Sequence, residues 1–140
     1  MTTLGLFLLL VTAPSQPVRM AFPGGSVVIP AGCVAPDRLG DLPQSWLGTI
    51  TCTPGTSIVV FGRAGVTNSC LRSGPGTRRG TQLFSAMGHK FEICGTERKV
   101  GGTGKTLREM VVGIGSTSLR AEIREPADAV TLLSIASTFE

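Results

Sequence analysis

Tyrosine is absent from the 140 residues, and the aromatic set is six phenylalanines and Trp46. So thin a supply argues against functions built on aromatic platforms, such as sugar binding or base stacking on single-stranded nucleic acid. Histidine occurs once, at His89, with no partner at ligand spacing, which argues against a copper or haem centre. The four cysteines include no C-x-x-C, so neither a zinc site nor c-type haem attachment is implied. Gly-x-Ser-x-Gly is missing, and Ser69 has no evident base or orienting acid. Asp37 and Asp41 are too few carboxylates for a calcium loop. Gly101-Gly102-Thr103-Gly104-Lys105-Thr106 ends like a phosphate-binding loop. Lys99 stands where the pattern needs its first glycine, and Thr106 opens an alternating strand instead of a helix. No catalytic constellation, metal site or cofactor is expected, and neither nucleic acid nor a small-molecule substrate is implied.

What is plentiful points to a β-rich fold. Nineteen glycines and nine prolines imply many turns and short elements. The last third is clearest. Met110, Val112 and Ile114 share one face of an alternating run from Leu107 to Ile114. After Gly115-Ser116-Thr117, Leu119, Ala121 and Ile123 alternate with Arg120, Glu122 and Arg124. This is a hairpin with one dry and one wet face. Glu125-Pro126-Ala127-Asp128 then reads as a helix start, with proline in the first turn and an acid at the positive dipole end. Ala129, Leu132, Leu133, Ala136 and Phe139 form its apolar stripe, with Thr131, Ser134 and Thr138 opposite. The expected fold is α+β: a mainly antiparallel sheet of short strands with the C-terminal helix packed on one face.

Earlier strands are expected at Val18 to Phe22, Ser26 to Ile29, Trp46 to Thr53, Ser57 to Gly62, Val66 to Arg72, Gln82 to Met87 and His89 to Cys94. Cys33 to Ser45 reads as a loop, Pro54-Gly55 as a hairpin turn, and Ser73 to Gly80 as an exposed basic loop. Residues 16–140 are expected to form one domain. Residues 1–15 stand apart: Leu4 to Val11 is an apolar run of signal-peptide length, too short to span a bilayer. Ala13-Pro14-Ser15 offers a cleavage site, but no Lys or Arg precedes the run, so a cleaved signal and a retained apolar anchor both stand. Ala31-Gly32-Cys33 imitates a lipoprotein box, but Pro30 replaces the usual leucine and the apolar run lies too far upstream.

Export would suit the cysteines. Cys33, Cys52, Cys70 and Cys94 are widely spaced, which favours two disulfides over four buried thiols, with three pairings open. Charge is uneven. From Arg63 to Arg108 there are nine cations against two carboxylates, a local +7 that leaves −3 for the rest of the +4 chain. Within it, Arg78, Arg79, Arg98, Lys99 and Lys105 are the candidate partner-binding residues, since clustered guanidinium and ammonium groups grip carboxylates or phosphates.

Both ends of the chain resemble the PsbP/Mog1-like small α+β domains. The opening, Ala21-Phe22-Pro23-Gly24-Gly25-Ser26-Val27-Val28-Ile29-Pro30-Ala31-Gly32, is a strand, turn, strand and Pro-Ala-Gly. The close is the hairpin, Glu125-Pro126-Ala127-Asp128 and the helix ending at Phe139. Together they cover about a third of the chain, and the cysteines and Arg78-Arg79 are no part of the pattern. The resemblance implies a non-catalytic accessory role like that of extrinsic subunits on photosynthetic complexes. The expectation is therefore a periplasmic or extracellular accessory subunit, docked on other protein subunits of a membrane-bound photosynthetic or respiratory assembly or on an anionic lipid surface. A free exported module binding an anionic ligand is the alternative, and a secreted enzyme the third reading.

Overall fold

A computed structural model describes residues 16–35, 44–53, 55–65, 77–86, 88–102 and 104–140, with the backbone alone for 77–86 and 98. The strands are β1 (Val18–Phe22), β2 (Gly25–Ile29), β3 (Cys33–Val34), β4 (Ser45–Cys52), β5 (Thr56–Arg63), β6 (Thr77–Ala86), β7 (His89–Lys99), β8 (Thr106–Ile114) and β9 (Thr117–Glu122). The helix is α1 (Pro126–Ala136). β1 and β2 form a separate hairpin; the others make one sheet in the order β3-β4-β5-β9-β8-β7-β6, antiparallel throughout. The fold is α+β, mostly antiparallel sheet with a single C-terminal helix packed on it.

The terminal hairpin lies at the centre. β9 inserts between β5 and β8, so it joins the β3–β5 meander to the β6–β8 meander. Gly115 and Ser116 close the hairpin between the paired residues Ile114 and Thr117, with Gly115 at φ 58, which glycine adopts without strain. Register then aligns apolar residues into rows: Ile58, Ala121 and Met110; Val60, Leu119 and Val112. These rows, with Ile50, Phe91 and Ile114, are one side of the core; Leu132, Ile135 and Ala136 of α1 are the other.

The helix is anchored at its start. Asp128 is buried, and its carboxylate accepts the backbone N–H groups of Arg124 and Glu125 (both 2.9 Å) and the Thr56 hydroxyl (2.6 Å). The Glu125 bond satisfies the N-cap donor, the Arg124 bond holds the chain entering the helix, and the Thr56 bond ties α1 to the first residue of β5. Beyond the helix, Glu140 exchanges two backbone hydrogen bonds with Ser26 (2.9 and 3.0 Å), and Val28 N–H donates to Thr138 Oγ1 at 2.7 Å. The β1–β2 hairpin is thus held beside the helix, with Phe22 between Trp46 and Phe139 at ring-centroid distances of 6.4 and 6.2 Å.

Several expectations change. Cys33 and Val34 are not loop: they pair with β4, and Cys33 is bonded to Cys52 opposite it, Cα to Cα 4.0 Å. That bond also removes Cys33 as a lipid-bearing thiol. Thr77 to Gly80 belong to β6 instead of a loop, because Thr77 and Arg78 pair with β7 and Arg79 and Gly80 bulge between them and the pair at Thr81; Ser73 to Gly76 lie outside the described residues. β7 runs on through Glu97, Arg98 and Lys99, its pairing with β8 outlasting its apolar alternation. On α1 the fully buried residues are Leu132 and Ile135, whereas Leu133 is half-buried, so the apolar stripe is turned from the expected one. The face away from the helix is not simply wet: Cys94, Val111 and Ser118 are buried there, and Arg120 lies 5.5 Å over the Phe61 ring and 3.5 Å from Glu109. The expected strand Val66 to Arg72, the residues 1–15 and Cys70 lie outside the described residues. Among the described residues no helix is long and apolar enough to cross a membrane.

Candidate functional site

The five cations singled out from the sequence converge on one end of three neighbouring strands. β6 enters the sheet there, with Arg78 opposite Thr96 and Thr77 opposite Glu97. β7 leaves there, with Arg98 opposite Leu107 and Lys99 opposite Thr106. The turn between β7 and β8 closes with Val100 N–H donating to the Lys105 carbonyl at 2.9 Å. Arg108 adds a sixth cation two residues into β8, opposite Glu97. Residues separated by up to thirty positions in sequence are gathered because long antiparallel strands bring their ends together in register. Strand β8, not a helix, follows the phosphate-loop-like residues, so they are not joined to the helix N-terminus that a nucleotide site needs.

Between Arg78 and Thr81 the register shifts: Arg79 and Gly80 together oppose the single residue Gly95. This is a β-bulge, a device that bends a strand and re-aims its neighbours. On β7 and β8 beside it is a hollow of about 350 Å³, lined by Gly95, Glu97, Arg108, Met110 and Ile123 with Thr96 and Glu109. Gly95 leaves space where its neighbours along the strand carry side chains, and Met110 and Ile123 make the interior apolar. The volume lies at the lower limit of small-molecule sites, about 300–1,000 Å³. Composition gave no signal for this hollow; a glycine inside an otherwise continuous strand is the only sequence cue.

No family model matches the chain, and no curated protein matches it. The geometry must therefore carry the functional reading.

A second hollow, about 240 Å³, lies at the helix start between Gly55, Arg124, Glu125 and Asp128. Its polar groups already serve the fold: the Asp128 oxygens hold Thr56 and two backbone N–H groups, and the Arg124 guanidinium donates to the Gly55 carbonyl. The Thr56 hydroxyl, then the Glu125 and Arg124 N–H groups, hold the Asp128 carboxyl below its ordinary 3.8, against the opposing effect of burial. His89 packs edge-on against Phe139, ring centroids 5.1 Å apart, so it is a packing residue of β7. Among the described residues no group of three or more His, Cys, Asp or Glu is arranged to hold a metal ion.

Cys94 is disulfide-bonded as well as Cys33 and Cys52. It sits on β7 two residues before Thr96, so a covalent tie lies next to the cationic strand end.

Proposed function

We propose that this chain is a non-catalytic exported accessory subunit that docks, through the cationic end of β6, β7 and β8, on an acidic surface of a membrane-bound protein complex outside the cytoplasm. The observation that carries the reading is the convergence of Arg78, Arg79, Arg98, Lys99 and Lys105 on one strand end. Like charges gathered at one strand end raise the local positive potential, which an acidic surface complements. The disulfide between Cys33 and Cys52 agrees with an oxidising compartment. The resemblance of the chain ends to extrinsic subunits of photosynthetic complexes points the same way, and a photosynthetic or respiratory complex is the partner class it suggests.

The test is retention on membranes of the native cell across a salt series, comparing wild type with Arg78→Ala/Arg79→Ala and with Lys99→Ala/Lys105→Ala. Retention should fall as salt shortens the screening length, about 10 Å at 0.1 M, and each double variant should elute at lower salt with an unchanged Tm. Retention that ignores both salt and variants would reject docking through these residues. Equal retention on protein-free anionic vesicles would replace the protein partner by lipid headgroups.

A further inference from the structure

Resting on that docking reading, we infer that the hollow beside the cationic strand end receives one bulky aliphatic side chain of the partner, carried on an extended acidic segment. The arrangement of charge and apolar surface leads to this occupant. The uncharged lining of the hollow includes Gly95, Met110 and Ile123, and its charged lining residues are Glu97 and Glu109 against Arg108. A group entering it gains apolar contact and no net positive potential, so the part of the ligand inside is neutral and apolar. The anionic part belongs farther along the strands, where Lys99 follows Gly95 by four residues and Lys105 by turn closure. At a strand rise of about 3.3 Å per residue, the two subsites are about 13 Å apart.

That separation is four residues of an extended peptide. A segment with an aliphatic anchor and a run of acidic residues beginning four positions away would cover both subsites at once. The hollow is too small for a long acyl chain with its headgroup, and a free inorganic anion would have nothing to place in it. The β6 bulge gives the geometry a reason. By setting two residues against Gly95, it bends the strand beside the hollow and brings Arg79 to its flank by register. Aliphatic anchors in small pockets with charges at the rim are a common division of labour, the pocket giving affinity and the rim giving orientation and encounter rate.

The experiment uses the full chain with its disulfides intact and three synthetic peptides. The first has one leucine followed, four positions on, by three acidic residues. The second has alanine for the leucine, and the third has lysines for the acids. Binding is followed by calorimetry and by backbone amide shifts. The leucine peptide should bind with salt-dependent affinity and move the amides of Gly95, Met110 and Ile123. Its alanine version should bind about tenfold or more weakly, as expected for an exposed aliphatic side chain that loses its pocket. The lysine version should not bind. Gly95→Val, which fills the hollow, should equalise the leucine and alanine peptides while leaving salt-dependent acidic binding in place. Because the peptide comparison is made on the wild-type chain, it stands even where Gly95→Val fails to fold. Equal binding of leucine and alanine peptides would overturn the anchor and leave the docking reading intact. Equal binding of acidic and lysine peptides would overturn both. No binding of the leucine peptide at millimolar concentration would overturn the anchor, while salt-sensitive membrane retention would show that docking itself survives.

Discussion

Trp46 is buried against glycines, and this close fit makes a prediction at the scale of one atom. A Cβ at Gly62 would run into the indole ring and the Ser116 carbonyl oxygen, and one at Gly24 would come within 2.6 Å of the same ring. The Ser116 oxygen is held by the Arg63 N–H and the indole is buried on the residue paired with Gly62, so neither has free room to move into. Gly62→Ala should therefore destabilise the domain by about 1–3 kcal/mol or more, as overpacking does, whereas Gly101→Ala, with nothing within 4 Å, should change little; chemical denaturation of the two variants checks this. Asp128 makes a second prediction. A carboxyl whose folded pKa is depressed stabilises the fold above its unfolded pKa, and this contribution is lost as pH falls through the folded value. The acid limb of the stability profile, below about pH 4, should be shallower in Asp128→Asn than in wild type, with lower stability at neutral pH. Thr56→Val should move in the same direction, since the Thr56 hydroxyl is the leading cause of the shift. An unchanged acid limb in both variants would show that this carboxylate does not couple to folding. Neither pairing was legible beforehand: Thr56 and Asp128 are 72 residues apart, and nothing local marks Gly62 as a seat for Trp46.

At the scale of elements, periodicity found the terminal hairpin and the helix because each has one buried face and a local turn signal. Helix phase was less legible. Leu132, Leu133, Ile135 and Ala136 are all apolar, so the choice between adjacent stripes is made by Asp128, whose carboxylate is held by Thr56 and orients the helix. The buried line is Asp128, Leu132, Ile135 and Ala136. Leu132→Ala and Ile135→Ala should each cost about 2–5 kcal/mol. Leu133→Ala should cost clearly less, and exposed Ser134→Ala about 0.5 kcal/mol or less. Equal losses at Leu132 and Leu133 in thermal unfolding would mean that the helix has another phase. The start of β6 lacks a sequence signal for a different reason. Thr77-Arg78-Arg79-Gly80 has no apolar residue, and its strand conformation comes from backbone pairing with β7, a long-range contact without a local signature.

At the scale of the molecule, the sheet order explains what the cysteines do. β3 is two residues long and forms one edge, where so short a strand has little pairing of its own. The bridge from Cys33 to Cys52 closes a separation of 19 residues and joins that edge to β4. Spacing pointed to disulfides but could not choose a pairing, because β3 brings Cys33 opposite Cys52 only once the sheet has formed. With these two joined and Cys94 also disulfide-bonded, Cys70, outside the described residues, is the partner that remains within the chain. Peptide mapping should therefore recover a Cys70–Cys94 linked fragment as well as Cys33–Cys52. The native chain should be lighter than its reduced form by four hydrogens, one per cysteine. Cys33→Ser/Cys52→Ser should lower stability by about 3 kcal/mol, the value expected for a loop of this length. Its loss should fall on the β3 edge, far along the sheet order from β6, so salt-dependent docking should survive it. Alkylation of any cysteine in the native protein before reduction would contradict the two-bridge scheme, and docking lost with the β3 bridge would contradict the placement of the binding end on β6 to β8.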